Sequence, residues 1–206
     1  MSKSKVNYEF SEFGSKMKKI GILSIFAFIS SFVVNIGNLI SNILLPVRII
    51  TLVFQILILI FMFSALENSE EVNTIFNNRD LEEFRNKIYY GFILSIIGWV
   101  LFIIGIALIS FYVLVLGFTF FIIGLIIVII SGIFRVLGWY GLEKFFKTNL
   151  KKFPSDIGED ALSGAKFLKY GAFCHLLVFT SFIGLILDVI GSFKLSSLKD
   201  LLGKKS

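Results

Sequence analysis

Long apolar stretches alternate with shorter polar segments along this chain. Five such stretches lie at about 20–45, 49–66, 88–110, 113–137 and 167–191. A helix needs about 20 apolar residues to cross the hydrocarbon core of a bilayer, so each stretch predicts one membrane-spanning helix. The pattern predicts an all-α fold: a polytopic membrane helix bundle with about five transmembrane helices, forming a single membrane domain over residues 1–206.

The predicted helix boundaries follow from the few breaks in this pattern. Pro46 lacks an amide hydrogen and disfavours helix in the residue before it, so we predict a turn beside it between the first two helices. The stretch 88–139 has no charge before Arg135, which leaves room for two spans joined by a tight turn. That turn fits either Ser110–Tyr112 or Gly117–Thr119, and the sequence leaves both open.

Two polar segments, 67–87 and 140–166, separate the later spans. Asp80 followed by Glu83 matches a helix-capping pattern, which predicts a helix that begins at Asp80 and continues into the third span. Both segments are too short to fold as catalytic domains. We expect them to form short amphipathic helices along the cytoplasmic face.

Basic residues outnumber acidic ones, 20 to 14, which gives a net charge of +6. In a membrane protein this excess indicates orientation, because Lys and Arg are retained on the cytoplasmic side. With the amino terminus inside, 15 of the 20 cations fall on the cytoplasmic side and 5 outside. We therefore expect a multi-pass protein of the plasma membrane with a cytoplasmic amino terminus and an external carboxyl terminus. Its expected partner is the lipid bilayer, and we expect no nucleic acid.

Polar side chains within the predicted spans supply the candidate site. Those of the first helix share one face at 100° per residue, and a polar face in lipid turns towards other helices or water. Asn38 and Gln55 lie at similar depth, so we expect them to bond across the first hairpin. Isolated charges in a membrane are costly, so we also expect Arg48 and Asp188 to approach each other. The candidate polar intramembrane cluster comprises Asn35, Asn38, Asn42, Gln55, Arg48 and Asp188. It is interpreted as interhelical hydrogen bonding or, alternatively, as a solute site that opens outward.

Glycines recur every seven residues in the later spans. Small residues on one stripe allow close approach of helices in lipid, so this spacing predicts helix packing rather than a pore. The predicted helix-packing glycines are Gly91, Gly98, Gly105, Gly117 and Gly124, with Gly184 and Gly191 spaced alike in the fifth span.

The isolated titratable residues of the predicted spans are interpreted as structural. Arg135 is expected to reach the membrane interface, or to pair with Glu67 or Glu143. His175 is interpreted as a hydrogen-bonded structural residue rather than a proton relay, and Cys174 as an inert buried residue. With one histidine, one cysteine and no phosphate-binding glycine loop or nucleophile motif, the sequence predicts no catalytic residue, cofactor or metal. We therefore expect that the protein is not an enzyme.

The odd-numbered spans open alike, with IGILSIF at Ile20, YGFILSI at Tyr90 and YGAFCHL at Tyr170, which indicates a faint internal repeat. The order of "ALENSEE", "IFNNRDLEEFRNKIYYGFILSIIG", a long apolar hairpin, "FRVLGWYGLEKFF" and "FIGLILDVIGSFKLSSL" resembles a mainly archaeal family of small integral membrane proteins, domain of unknown function 996. The resemblance implies a multi-helix protein of an archaeal plasma membrane. That family has no assigned activity, so it implies no functional residues.

The function expected from these observations is that of a non-catalytic integral membrane protein. It would serve as an accessory or scaffold subunit of a larger membrane assembly, in contact with other membrane protein subunits or with copies of itself. The alternative is a small solute transporter or channel-like protein that uses the polar face of the first helix.

Overall fold

The computed structural model describes residues 3–37, 45–111, 113–177 and 180–203, with the backbone alone at 3, 34–37 and 45. Within these ranges the chain is helical almost throughout, which confirms the predicted all-α bundle. The α-helices are α1 (Lys3–Gly37), α2 (Leu45–Phe76), α3 (Arg79–Ser110), α4 (Leu114–Asn149), α5 (Ser155–Leu176) and α6 (Ser181–Leu195). Short 3-10 helices follow α4 at Leu150–Lys152 and α6 at Ser196–Leu202.

The turn between α2 and α3 is shorter than the sequence predicts. Asn78 is the capping residue, and its side-chain oxygen accepts hydrogen bonds from the backbone of Asp80 at 2.9 Å and of Leu81 at 3.2 Å. Asn77 adopts φ 43°, a left-handed conformation that asparagine tolerates. The predicted cap at Asp80 was therefore two residues late. The polar segment 67–87 forms the end of α2 and the start of α3 rather than a separate helix.

The other predicted boundaries have mixed outcomes. α3 ends at Ser110 and α4 begins at Leu114, which confirms the first of the two turn positions that the sequence left open. Pro46 lies in the first turn of α2 rather than in a turn between helices. Proline is tolerated there because the first amide groups of a helix have no intrahelical acceptor.

One half of the bundle holds a densely packed core, and we call this half the core end. All six helices contribute to this core. Their parts outside the long apolar stretches point apolar side chains inward. Phe10 contacts the rings of Phe76, Phe145, Phe146 and Phe153, with centroid distances of 5.3–6.4 Å. Fully burying a side chain of this size contributes about 1.5–3 kcal/mol. Most of the hydrophobic stabilisation by buried side chains therefore lies outside the long apolar stretches.

The opposite half, which we call the tip end, exposes apolar side chains around its circumference. Ile103 on α3, for example, is 61% exposed. In the described part of the chain, four helical segments are long and apolar enough to cross a membrane: Pro46–Phe76, Arg79–Ser110, Leu114–Lys152 and Ser181–Leu202. Apolar surface of this extent is covered by lipid in a folded protein. The chain is a multi-pass membrane protein. The predicted span 20–45 extends beyond the described residues.

The predicted fifth span does not form one helix. α5 ends at Leu176 and α6 begins at Ser181, so the chain turns back on itself. Thr180 stabilises the turn by donating from Oγ1 to the carbonyls of Cys174, at 2.8 Å, and Leu177, at 2.9 Å. The apolar stretch 167–191 is long enough for a span, but Thr180 in its middle satisfies backbone carbonyls at a turn.

The carboxyl-terminal tail returns to the core end. Ser11 Oγ donates a hydrogen bond of 2.8 Å to the carbonyl of Lys199, so the tail contacts α1. The structure thus brings together two segments that the sequence predicted on opposite sides of the membrane. The prediction of opposite sides followed from reading an antiparallel pair of helices as a single crossing.

Candidate intramembrane polar site

Two of the helical hairpins, α3/α4 and α5/α6, are built on the same glycine register. Gly105 faces Gly117 in the first, and Gly171 faces Gly184 in the second. A Cβ atom added at any of the four would lie 2.9–3.1 Å from the carbonyl oxygen of the opposing glycine. The backbones therefore touch, as the glycine spacing predicted. One heptad nearer the core end, Gly98 faces Gly124 and Gly164 faces Gly191 in the same way.

The side chains that fill the spaces beside these glycines differ between the hairpins. Ile109 and Phe121 lie beside the glycine pair of α3/α4. At the equivalent positions of α5/α6 stand His175 and Asp188, which form a pair with 2.8 Å between Nε2 and Oδ2. Their side chains are 21% and 23% exposed. The second hairpin therefore has a polar pair where the first has an apolar one.

The α5/α6 glycines make the space that this polar pair occupies. A Cβ at Gly171 would overlap Oδ1 of Asp188, and a Cβ at Gly184 would lie 3.0 Å from Nδ1 of His175. The imidazole and carboxylate are thus held against backbone on both sides. A histidine that donates from Nε2 to a carboxylate keeps one tautomer and one orientation.

Arg135 on α4 lies close enough to this pair for its charge to interact with that of Asp188. Its guanidinium stands over the ring of Phe92 at 5.1 Å, and a Cβ at Gly91 would lie 2.8 Å from its Cγ. Its Nε is buried and has no hydrogen-bond partner within the described structure. Asp188 is the charge that attracts it. A buried cation is costly unless a nearby charge offsets the lost hydration, and the carboxylate of Asp188 supplies part of that offset.

Neither of the predicted carboxylate partners of Arg135 is the charge that attracts it. Glu143 binds Lys169 instead, with 2.5 Å between Oε2 and Nζ. Sequence reasoning missed the pairing of His175 with Asp188 because it placed both on one helix, 13 residues apart. A signal was present: Gly105 and Gly117 are symmetric about the α3/α4 turn, and Gly171 and Gly184 are symmetric about 177–178.

The expected approach of Arg48 to Asp188 does not occur. Ring contacts of α1 place Phe54 level with Phe26, and Phe182 level with Phe28. Arg48 lies six residues from Phe54 towards the tip end, and Asp188 six residues from Phe182 towards the core end. Helical rise then separates the two charges by about 15 Å along the bundle.

The remaining residues of the predicted cluster lie mostly outside the described part of the chain. Asn38 and Asn42 are not among the described residues, and Asn35 is described by its backbone alone. Gln55 is an exposed residue of α2. Its hydrogen bond to Asn38 stays a prediction. Among the described residues, no group of three His, Cys, Asp or Glu side chains is placed to hold a metal ion.

Comparison with known proteins identifies no relative: no family model, curated protein or solved structure matches this chain.

Proposed function

We propose that this protein is a non-catalytic accessory or scaffold subunit of a larger assembly in the plasma membrane. The observation that supports this is the low burial of its membrane helices. In each of the segments that contain α2, α3 and α4, only 11–17% of the most apolar 18-residue stretch is buried inside the protein. Helices packed this sparsely within one chain leave broad apolar faces, which lipid and the helices of other subunits can both cover.

The membrane position that we propose rests on aromatic and basic residues. Four exposed tyrosines, Tyr89, Tyr90, Tyr140 and Tyr170, form a belt where the core end meets the apolar half. From Tyr90 to Ser110 helical rise spans about 30 Å, the thickness of the hydrocarbon core. Among the described residues Arg48 is the one Lys or Arg at the tip end. This distribution favours a cytoplasmic core end that carries both the amino-terminal helix and the tail.

In this position the α5/α6 hairpin enters the membrane without crossing it. The side chain of Leu176, at the end of α5, lies against Gly132 on α4, where an added Cβ would overlap its Cδ2. Gly132 is seven residues from Trp139, which corresponds to a depth of about 10 Å. The His175–Asp188 pair and Arg135 would then lie in the cytoplasmic leaflet. A polar group at this depth costs less than one at the bilayer centre.

The test of the scaffold proposal is purification of the tagged protein from its native membranes in a mild detergent. We expect a second membrane protein to accompany it in fixed stoichiometry after size-exclusion chromatography. Recovery of the chain alone, from several detergents and from native nanodiscs, would contradict the proposal.

A transporter is the second candidate, and the Arg135–Asp188–His175 group is the observation that favours it. Ionisable residues that face one another inside a membrane commonly mark ion or proton pathways. In proteoliposomes a transporter would dissipate a proton or anion gradient, and Asp188→Asn would abolish the flux while leaving the α5/α6 hairpin folded. Intact gradients with the unaltered protein would exclude this candidate. We also propose an archaeal source and, for the transporter candidate, a role for the polar face of the first helix.

A further inference from the structure

A half-open cavity of about 520 Å³ lies at the core end, where the start of α1, the end of α2 and the 3-10 helix after α4 meet. Its size is within the range of small-molecule sites. Its lining combines four apolar residues, one asparagine and two exposed lysines: Val6, Ile75, Phe76, Phe153, Asn7, Lys151 and Lys152. The cavity thus combines an apolar surface with concentrated positive charge.

The charge of this cavity is not balanced by its own lining. No Asp or Glu is among the described residues that line it. Lys152 places its Nζ 4.5 Å from the centre of the Phe76 ring, and Lys151 is exposed beside it. Some lysines at the core end contact carboxylates, as Lys144 does with Asp80 at 2.8 Å. Two lysines in one lining whose described residues include no carboxylate favour an anionic occupant.

In the membrane position proposed above, the cavity lies too far from the bilayer to hold a lipid head group. Phe63 contacts Tyr89 of the tyrosine belt, and Phe76 lies 13 residues further along α2. Helical rise places Phe76 about 20 Å from the belt. The head-group layer reaches only about 5–8 Å beyond the hydrocarbon core. The cavity therefore faces water.

We propose that this cavity binds a small soluble organic anion with an aromatic or aliphatic body. The anionic group contacts Lys151 and Lys152, and the body packs on Phe76 and Phe153. The side-chain amide of Asn7, also in the lining, can donate to the anion. The exposure of this site to water rests on the membrane position proposed above, but its residues take no part in the helix faces on which the scaffold proposal rests.

Photolabelling with 4-benzoylbenzoate tests the proposal on the full-length protein in phosphatidylcholine nanodiscs. We expect saturable adducts on Ile75 or Phe76, located by mass spectrometry. Neutral benzophenone, which partitions into lipid, should label the apolar spans instead. The double variant Lys151→Gln, Lys152→Gln should lower cavity labelling about tenfold, since two charges that contact the anion are lost.

The matched control is Lys147→Gln, because Lys147 is an exposed lysine of the same helix end that does not line the cavity. Its labelling should equal that of the unaltered protein, and unchanged melting of both variants would exclude a folding effect. Equal labelling of the double variant and the control would overturn the proposal. So would adducts that an acidic peptide displaces but free benzoate does not, because the occupant would then be a protein segment.

Discussion

The α3/α4 and α5/α6 hairpins share a backbone arrangement but not a side-chain chemistry. In both, two glycines one heptad apart on each helix face the glycines of the other helix. Beside the glycines nearest the turn, α3/α4 has Ile109 and Phe121, whereas α5/α6 has His175 and Asp188. The first hairpin turns about 30 Å from the tyrosine belt, and the second about 10 Å from it. The glycines allow the close backbone contact in both hairpins, and we propose that the side chains beside them limit how deep a hairpin can lie in lipid.

Moving the polar pair into the deep hairpin should give the largest effect. The double variant Ile109→His, Phe121→Asp places a carboxylate far from the core end, without Arg135 to offset its charge. We expect a loss of about 3 kcal/mol or more, because ionisable groups in the hydrocarbon core cost that much. Thermal unfolding in detergent and membrane insertion measure it. The conservative double variant Ile109→Val, Phe121→Leu serves as control, and equal stability of the two would show that side-chain polarity does not limit depth.

Disrupting the close contact between opposing glycines should cause the next largest loss of stability, and the loss should be similar in both hairpins. At Gly105 a new Cβ would lie 2.5 Å from the backbone nitrogen of Phe121, which cannot move without separating the helices. Gly105→Leu should cost about 3 kcal/mol, at the upper end of overpacking effects. Gly203→Ala is the matched control, since a Cβ there would lie 3.7 Å from the carbonyl oxygen of Asp200, in ordinary contact. If both variants melt at the same temperature, close helix contact contributes nothing.

Removing only the carboxylate of the polar pair should cost less. Asp188→Ala leaves His175 without its partner and Arg135 without its attracting charge. We expect about 2 kcal/mol, below the 3–5 kcal/mol of a fully buried pair, because both side chains of the pair are partly exposed. The melting temperature in detergent is the readout. Asp188→Asn keeps the hydrogen bond but not the charge, so a melting temperature between those of Asp188→Ala and the unaltered protein is expected. Identical melting of all three would remove any structural role for the pair.

Converting the polar pair to the apolar one should have the smallest effect. The double variant His175→Ile, Asp188→Phe gives α5/α6 the side chains that the same glycine register accommodates in α3/α4. Replacing a paired polar group by packed apolar groups is often neutral, so we expect a change within about 1 kcal/mol. Any activity of the polar site should be lost. A strong destabilisation would mean that the two hairpins are less alike than their glycine contacts indicate.

The sequence predicted the α3/α4 hairpin well because its apolar stretch is too long for any other arrangement. It misassigned α5/α6 because 25 mainly apolar residues satisfy the length of a span, and hydropathy does not record a turn. The glycines are spaced symmetrically about each turn. This spacing identifies the turn only when it is known which glycines contact each other. The aromatic core around Phe10 was missed for a related reason. Its members are scattered among lysines and glutamates, at helical spacing that hydropathy averages away.

The most direct test of this account is the location of the two ends of the chain. A fluorescent reporter that folds only in the cytoplasm, and a phosphatase that is active only outside, would be fused in turn to each end. Because α5/α6 turns back and the tail contacts α1, both ends should report the cytoplasm. A cytoplasmic amino terminus with an external carboxyl terminus would contradict the account, since α5 and α6 would then have to form one continuous crossing.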